Sequence, residues 1–230
     1  MKPRTPPSNP PRPNRAFIGI SLDSKGFSRI WVREALKLIL KKHDQLLIVI
    51  ADDLFWYTRS LHQKDGENRL ALEECKSRIA KRRGEAMRFL SSEINKLSCE
   101  DQEKIEIRSW NYFADGSYAD LLRKLKIAFL GLPDFNSSVK SVASRHAHKI
   151  TSFTAHDIAT DACTEFLLDE TAMCVRITEI EGYCNEYYPG EDIAVLGNLY
   201  AGEWAHLGLD VGALTGAPSK RIFTNLKIDD

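Results

Sequence analysis

The sequence predicts an α/β fold, with a Rossmann-like, mostly parallel sheet of about five strands and helices on both faces. Two apolar runs rich in β-branched residues, AFIGIS at 16–21 and LLIVIA at 46–51, are typical of buried strands. Between them, residues 28–43 place apolar side chains at helical spacing. A strand, a crossover helix and a second strand form a parallel βαβ unit, and 230 residues with 43% hydrophobic content suit one such domain.

The alternation of helical and strand patterns continues to the end of the chain. Pro133 separates two helices, and Gly182 is the expected stop of a long helix that begins near Thr154. The remaining elements are predicted over 67–97 (helix), 104–110 (strand), 117–132 (helix), 183–188 (strand), 191–204 (helix) and 220–228 (strand). Together these elements complete an open sheet flanked by helices.

The amino-terminal residues differ in composition from the rest of the chain. Six prolines among the first 14 residues predict a disordered tail over 1–15, followed by one domain over 16–230. The tail lacks the apolar core of a signal peptide, and the longest apolar run is too short to span a bilayer. We therefore expect a cytoplasmic protein without a membrane partner.

Charge, cysteines and motifs limit the kinds of site to expect. The 32 basic and 32 acidic residues cancel, so a nucleic-acid partner would require a local basic patch. The five cysteines form no C-x-x-C pair, which favours reduced thiols and predicts no metal site. Neither G-x-G-x-x-G nor a P-loop motif occurs, so we expect no nucleotide cofactor.

Ser21 ends the first predicted strand, where open parallel sheets bind their ligands. A serine before a helix is most often an N-cap, but Ser24 or Ser28 can fill that role and leave Ser21 available. A serine hydrolase is a weak alternative, because GISLD lacks the second glycine of the G-x-S-x-G motif. The sequence also marks no histidine as the base that such a serine needs.

A short basic segment stands out in a chain without net charge. Residues 76–88 contain one acidic residue and six basic ones, which are Lys76, Arg78, Lys81, Arg82, Arg83 and Arg88. Apolar residues recur at three-to-four spacing and predict an inward face formed by Leu72, Cys75, Ile79, Ala86, Leu90 and Ile94. The basic face is either a solvated helix surface or a footprint for an RNA backbone.

Two later segments carry candidate polar groups. The sequence FLLDE places Phe166 and Glu170 four residues apart on one helix face, with Met173 a turn further along. A carboxylate among apolar residues can hold an ammonium group or exchange a proton with it, although a solvated glutamate is the commoner case. The sequence YYPG at 187–190 is typical of a strand that ends in a turn.

The order and spacing of these features resemble the tRNA-dependent cyclodipeptide synthases, from about Phe17 to Ile228. The resemblance rests on the serine after IGIS, the basic helix, the helix that bears Glu170 and a later strand that ends in tyrosine. Tyr188 followed by Pro189, with serine at 24 where another branch carries asparagine, is similar to the Tyr-Pro branch. The family resembles the catalytic domains of class I tyrosyl- and tryptophanyl-tRNA synthetases without their ATP-binding motifs.

The resemblance implies a monomeric aminoacyltransferase of secondary metabolism that makes a cyclic dipeptide (diketopiperazine) from two aminoacyl-tRNAs, without a cofactor. Ser21 would accept the first aminoacyl group in a ping-pong reaction, Glu170 would hold its α-amino group, and Tyr188 would hydrogen-bond near the serine. Tyr187 is adjacent, which leaves a one-residue shift open. The six basic residues of 76–88 would bind the tRNA backbone. The amino acids would contact Phe17, Gly19, Ser24, Val49, Phe166, Met173 and Pro189.

One position departs from the family pattern. Phe166 stands where the family's helix motif has a tyrosine four residues before the glutamate. The ring is kept, but the hydroxyl that helps to bind the amino group is lost. The leading hypothesis is a cyclodipeptide synthase, and the alternative is a domain of the same fold that binds tRNA or RNA without catalysis.

Overall fold

A computed structural model describes residues 14–21, 26–51, 70–150 and 156–228, except the side chains of 70–75, 149–150 and 156–158. The described strands are β1 (Arg15–Ile20), β2 (Gln45–Ile50), β3 (Ile105–Ser109), β4 (Asn185–Tyr188) and β5 (Ile222–Asn225). The described helices are α1 (Arg29–Leu40), α2 (Leu70–Ile94), α3 (Cys99–Glu103), α4 (Gly116–Gly131), α5 (Pro133–Ile150), α6 (His156–Val175), α7 (Ala194–Ala201) and α8 (Val211–Thr215). Residues 1–13 of the predicted tail, and Ser24, lie outside the described residues.

The five strands form one sheet in the order β3-β2-β1-β4-β5, and all four neighbouring pairs are parallel. The predicted fold class is confirmed, and the described sheet is parallel throughout. From β1 the chain adds β2 and β3 on one side, and then returns to place β4 on the other side. The boundary between β1 and β4 is therefore the topological switch point, where sheets of this kind bind ligands.

Helices cover both faces of the sheet, as predicted. On one face, Ile18 and Ile48 pack against α1 residues such as Leu36 and Ile39. On the other face, Phe17 and its neighbours on β2 pack against the end of α6. Helices α4, α5 and α7 pack around α6 in a third layer. The central strands β1 and β2 are thus buried on both sides, which explains their continuous apolar runs.

Local signals in the sequence account for several helix ends. The backbone N–H of Trp31 donates to Ser28 Oγ at 3.1 Å, so Ser28 caps α1, as the sequence allowed. Pro133 opens α5 at a position where its missing N–H costs nothing. Helix α6 continues into a π-helical turn, and Gly182 follows with a φ of 80°, which favours glycine.

Among the described side chains of the predicted inward stripe of α2, full burial occurs only near the carboxyl end of the helix. Leu90 is fully buried, whereas Ile79, Ala86 and Ile94 are half-buried. The side chains of Leu72 and Cys75 lie outside the described residues. Among its described side chains, those that α2 contributes to the sheet core begin at Met87.

Candidate active site

Ser21 lies directly after β1, the central strand, at the carboxyl edge of the sheet. It is partly exposed, and the capping of α1 by Ser28 leaves it outside that role. The neighbouring strand ends at the same level, because Ala51 N donates to Ile20 O at 2.9 Å. The predicted nucleophile therefore occupies one side of the switch point between β1 and β4.

Tyr188 is the last residue of β4 and occupies the other side of the switch point. The register pairs Phe17 with Glu186 and Ile18 with Tyr187, so Tyr188 continues opposite Gly19 and shares its face. Because side chains alternate along a strand, this is also the face expected for Ser21. The Tyr188 ring packs edge-on against Phe27, with centroids 5.4 Å apart.

Tyr187 belongs to the opposite face of the sheet. It is 8% exposed, and its hydroxyl lies 2.8 Å from Nε2 of His43. His43 Nδ1 lies 2.9 Å from Asn14 Oδ1, so the imidazole donates there and accepts from Tyr187. Burial lowers the pKa of His43 and keeps it neutral. Tyr187 is thus a core residue, and between the two tyrosines it is Tyr188 that shares a face with Gly19.

Among the described residues, none crowds Gly19 on the face it shares with Tyr188. A Cβ at this position would meet no heavy atom of the described residues within 4 Å. Phe17, Val49 and Met173 form one buried cluster on the same face, each at most 2% exposed. These three side chains are therefore core residues with almost no accessible surface. Pro189, half-buried, follows Tyr188.

Glu170 lies on α6, which covers this face of the sheet. Helix α6 leads into β4 and so runs opposite to the strands, which places Glu170 nearer to the carboxyl edge than Met173. Glu170 is half-buried, and none of the described residues forms a hydrogen bond or ion pair with its carboxyl. Burial, followed by the nearby charges of Glu186 and Asp169, raises the pKa of Glu170 to about 8. The group can therefore hold or release a proton near neutral pH.

A buried arginine organises the carboxylates beside β4. Arg221 donates from Nε to Glu186 Oε2 at 2.7 Å and from its two terminal nitrogens to both oxygens of Asp192 at 2.7 and 2.5 Å. Its guanidinium also lies 5.0 Å from each of the ring centroids of Tyr200 and Phe223. Burial raises the pKa of Glu186, and Arg221 opposes this shift.

The helix layer adds a second polar pair close to Glu170. The hydroxyl of Tyr118, on α4, donates to the carboxylate of Asp169, the residue before Glu170. Phe166, one turn earlier on α6, is half-buried and packs against the same two apolar clusters as Tyr118. A phenolic hydroxyl is thus present near Glu170, although it comes from another helix and bonds to the adjacent carboxylate.

The six predicted RNA-contacting residues are all exposed along α2. From residue 76 to 83 every side chain is exposed except Ile79. Arg82 lies 3.5 Å from Glu85, an ion pair that solvent weakens. The placement agrees with a solvent-facing cationic surface, and its contact with RNA stays a prediction.

Other groups in the described residues do not form a competing site. His146 and His148 are exposed on α5, which packs in the third layer, away from the switch point. No cluster of three or more potential metal ligands occurs in the described part of the chain. None of the described helices is long and apolar enough to cross a membrane.

Sequence reasoning missed two residues of this region. Arg221 was grouped only with the last strand, and Tyr118 only with a helix. The single signal for Arg221 is that a long cationic residue directly precedes a short strand, and such a position is usually exposed. Its burial depends on Glu186 and Asp192 together, which no local pattern reveals.

No protein-family model and no curated protein sequence matches this chain. Solved structures do match it. A cyclodipeptide synthase (CDPS) from Fluoribacter dumoffii is 15% identical with a TM-score of 0.67, covering 90% of this chain and 87% of that one. A cyclodipeptide synthase from Candidatus Glomeribacter gigasporarum, bound to Phe-tRNAPhe, is 18% identical with a TM-score of 0.62, covering 90% and 85%.

A third matching structure has a description that also names the type I tRNA synthetases. A Mycobacterium tuberculosis protein, described as showing that cyclodipeptide synthetases are related to type I tRNA synthetases, is 17% identical with a TM-score of 0.60. The match covers 76% of this chain and 73% of that one. At these identities the likeness shows a shared Rossmann-like fold over most of the chain.

Proposed function

We propose that this protein is a cyclodipeptide synthase that joins the amino acids of two aminoacyl-tRNAs into a diketopiperazine. The observation that carries the proposal is the arrangement at the switch point, where Ser21 directly follows β1, Tyr188 ends the adjacent β4, and Glu170 lies on the helix that covers the Gly19 face. The fold shared with solved cyclodipeptide synthases supports the same conclusion. The proposed chemistry uses these three side chains and requires no cofactor.

In the first step, Ser21 Oγ attacks the carbonyl carbon of an aminoacyl-tRNA ester. The bond from that carbon to the ribose oxygen breaks, and the ribose oxygen takes up the serine proton as the first tRNA leaves. The aminoacyl ester is more reactive than the amide that a protease cleaves. The serine can therefore attack it without a histidine base. Tyr188 donates a hydrogen bond at the edge where negative charge develops.

In the second step, the α-amino group of the serine-bound residue attacks the ester of a second aminoacyl-tRNA. A peptide bond forms, the second tRNA leaves, and the dipeptide remains on Ser21. The new terminal amine then attacks the Ser21 ester, which closes the ring and frees the serine. Ring closure is intramolecular and benefits from proximity.

Glu170 suits the proton transfers that both amine attacks need. An α-ammonium group has an ordinary pKa near 8, and the pKa of Glu170 is also raised to about 8. Transfer of a proton between two groups of similar pKa costs little free energy. The carboxylate form of Glu170 also attracts the ammonium form of the substrate, which fixes the position of the attacking nitrogen.

The decisive experiment follows the acyl group. The purified protein is incubated with tRNA that carries a radiolabelled amino acid, and the label that remains on denatured protein is counted. We expect label on the intact chain, none on Ser21→Ala, and a diketopiperazine mass in the reaction with the intact chain. Ser28→Ala serves as the matched control, because it removes a serine hydroxyl that caps α1 instead.

The alternative function predicts a different pattern in the same assay. Phe166 lacks the hydroxyl expected beside Glu170, which is the observation that favours RNA binding without catalysis. In that case tRNA binds and its affinity weakens with salt, but no label reaches Ser21 at any concentration. Such a result would remove the synthase proposal.

A further inference from the structure

The outward face of α1 carries a row of basic side chains outside the site described above. Arg29, Arg33, Lys37 and Lys41 recur at every fourth position, so successive members lie about 6 Å apart along the helix axis. All four are exposed, and Lys42 adjoins the last of them. Residues 29–42 contain five basic side chains and one acidic side chain, Glu34.

The helix dipole explains the basic residues at only the carboxyl end of this row. Cations near the carboxyl end of a helix interact favourably with the helix dipole, which accounts for Lys37 and Lys41. Arg29 is the first residue of α1, where a cation is unfavourable, and the first turn contains no acidic residue. The Arg29 side chain is 71% exposed, and its ion pair with Glu93 is long at 4.0 Å. The helix dipole therefore gives no reason for a cation at Arg29, and its long pairing with the buried Glu93 is the one structural contact that favours it among the described ion pairs.

The row on α1 joins the basic segment of α2 near Arg29. The Arg29 guanidinium lies 5.9 Å from the ring centroid of Phe89 on α2. Both helices lead from one strand to the next, so both run opposite to the strands. Residues 76–88 of α2 precede Phe89 and therefore extend toward and past the carboxyl edge. The α1 row begins at that edge and continues toward the opposite one.

The two segments together form a long cationic ridge. At the helical rise, residues 76–89 span about 20 Å and residues 29–41 span about 18 Å, and they meet at Arg29. The two segments, 29–42 and 76–88, contain eleven basic and two acidic residues, a formal charge of +9. Because the whole chain is neutral, its remainder carries −9. Such a concentration fits a polyanion that lies along the ridge.

We propose that Arg29, Arg33, Lys37 and Lys41 form a second backbone-contact surface for tRNA, continuous with the segment on α2. The commitment to tRNA rests on the proposed function, because the ridge passes the carboxyl edge where Ser21 would receive the aminoacyl end. The contacts are ionic and go to phosphates, so they position the RNA without reading its sequence. A narrow ridge of two helices fits a strand backbone better than a flat bilayer surface.

The test compares charge reversals on the full-length protein. Binding of an unacylated tRNA transcript is measured by fluorescence anisotropy from 50 to 300 mM salt. For Lys37→Glu combined with Lys41→Glu, we expect at least tenfold weaker binding at 100 mM salt. The slope of log affinity against log salt should fall by about 2, since each lost duplex phosphate contact removes about 0.9. The double variant Lys37→Gln and Lys41→Gln should show the same direction without new acidic charges.

Arg123→Glu is the matched control. Arg123 is exposed on α4 and pairs with Asp120 three residues earlier, as Lys37 pairs with Glu34. We expect this variant to bind tRNA like the intact chain, and thermal unfolding shows that each variant is folded. If the α1 variants bind as tightly as the control with an unchanged salt slope, the inference is wrong.

Two further measurements separate this inference from the proposed function. If Ser21 is acylated and the α1 variants bind tRNA normally, the inference fails while the proposed function stands. If Ser21 is never acylated but the α1 variants lose RNA affinity, the proposed function fails and the surface stands. Sedimentation with vesicles of phosphatidylserine and phosphatidylcholine tests the bilayer alternative, and lysine-dependent vesicle binding without tRNA binding would overturn the inference.

Discussion

Tyr187 and Tyr188 are adjacent in sequence but lie on opposite faces of β4. Tyr187 is buried against His43, and Tyr188 lies at the carboxyl edge on the face of Gly19. A Tyr→Phe substitution therefore tests the stability of the core at Tyr187 and the proposed catalysis at Tyr188. The pair separates a loss of catalysis from a loss of stability.

We expect Tyr188→Phe to lower the rate of Ser21 acylation at least tenfold and to lower the melting temperature less than Tyr187→Phe does. A hydrogen bond to a charged group is worth about 1.5–3 kcal/mol. Tyr187→Phe leaves a buried His43 nitrogen unsatisfied and should reduce the free energy of unfolding by about 1–3 kcal/mol. Single-turnover acylation and chemical denaturation measure the two effects. Equal acylation rates in both variants would argue against a role for Tyr188.

Glu170→Gln should alter the pH dependence of stability in a defined direction. The ordinary pKa of this carboxyl is 4.5 and burial raises it to about 8 in the folded state. Between these values the folded protein holds a proton that the unfolded chain has lost, so stability falls as pH rises. Glutamine carries no ionisable proton, so Glu170→Gln removes this pH-dependent loss of stability. We expect its stability advantage to be absent at pH 4 and to widen from about pH 5 to pH 8.

The same variant should also affect dipeptide formation. If Glu170 accepts the ammonium proton, the rate of product formation rises with pH through about 8 in the intact chain. In Glu170→Gln the rate should be lower and should lose that dependence, while Ser21 acylation is less affected. Product mass against pH, measured after preloading Ser21, distinguishes the steps. An identical pH profile for both proteins would count against Glu170.

Arg221→Ala should destabilise the fold strongly. The substitution leaves Glu186 and Asp192 without their cation, and breaking a buried pair costs about 3–5 kcal/mol. The matched control is Arg123→Ala, which removes an exposed pair and should cost less than about 1 kcal/mol. Urea denaturation at pH 7 measures both. A loss below 1 kcal/mol for Arg221→Ala would show that the network contributes little.

Gly19→Ala and Gly19→Val test the open space beside β1. Because a Cβ there has room among the described atoms, we expect the melting temperature of Gly19→Ala to be unchanged or slightly higher. The valine side chain should fill the space and exclude large amino acids from the first site. Product spectra from mixed aminoacyl-tRNAs measure the shift toward smaller residues. A spectrum that valine does not change would place the amino-acid pocket elsewhere.

Phe166→Tyr should strengthen substrate binding if the missing hydroxyl matters. A hydroxyl bonded to the substrate ammonium is worth about 1.5–3 kcal/mol, which corresponds to roughly tenfold or more in kcat/KM. The effect should appear in KM more than in kcat, since the contact exists before the reaction. Steady-state kinetics with one aminoacyl-tRNA pair provide the measurement. Weaker binding in the tyrosine variant would indicate that the half-buried ring has no room for a hydroxyl.

Much of the fold was predictable because its signals are local. Ser28 caps α1 through a contact three residues away, and β1 and β2 are continuous apolar runs. The environment of Glu170 was not predictable in the same way. Its pKa is raised first by burial and then by the charge of Glu186, which comes from another element of the chain. The burial of Arg221 likewise requires Asp192 and the rings of Tyr200 and Phe223.

The position of the candidate site was only partly predictable from the sequence. That Ser21 ends a strand follows from the apolar pattern, but that Tyr188 rather than Tyr187 shares its edge follows only from the register of β1 and β4. A shift of one residue would have exchanged the two rings. The pattern NEYY is ambiguous on this point, since both positions are aromatic.

The pairing of β1 with β4 also bears on how the protein is made. Ala16 pairs with Asn185, so the two strands that frame the candidate site are among the most distant in the chain. During synthesis, β1, β2 and β3 emerge long before β4, and one edge of β1 stays unpaired for that period. Contacts of such high sequence separation form slowly and expose strand edges to aggregation. A ribosome-bound chain that stops before Asn185 should therefore lack the candidate site, which is complete only as the last fifth of the chain is made.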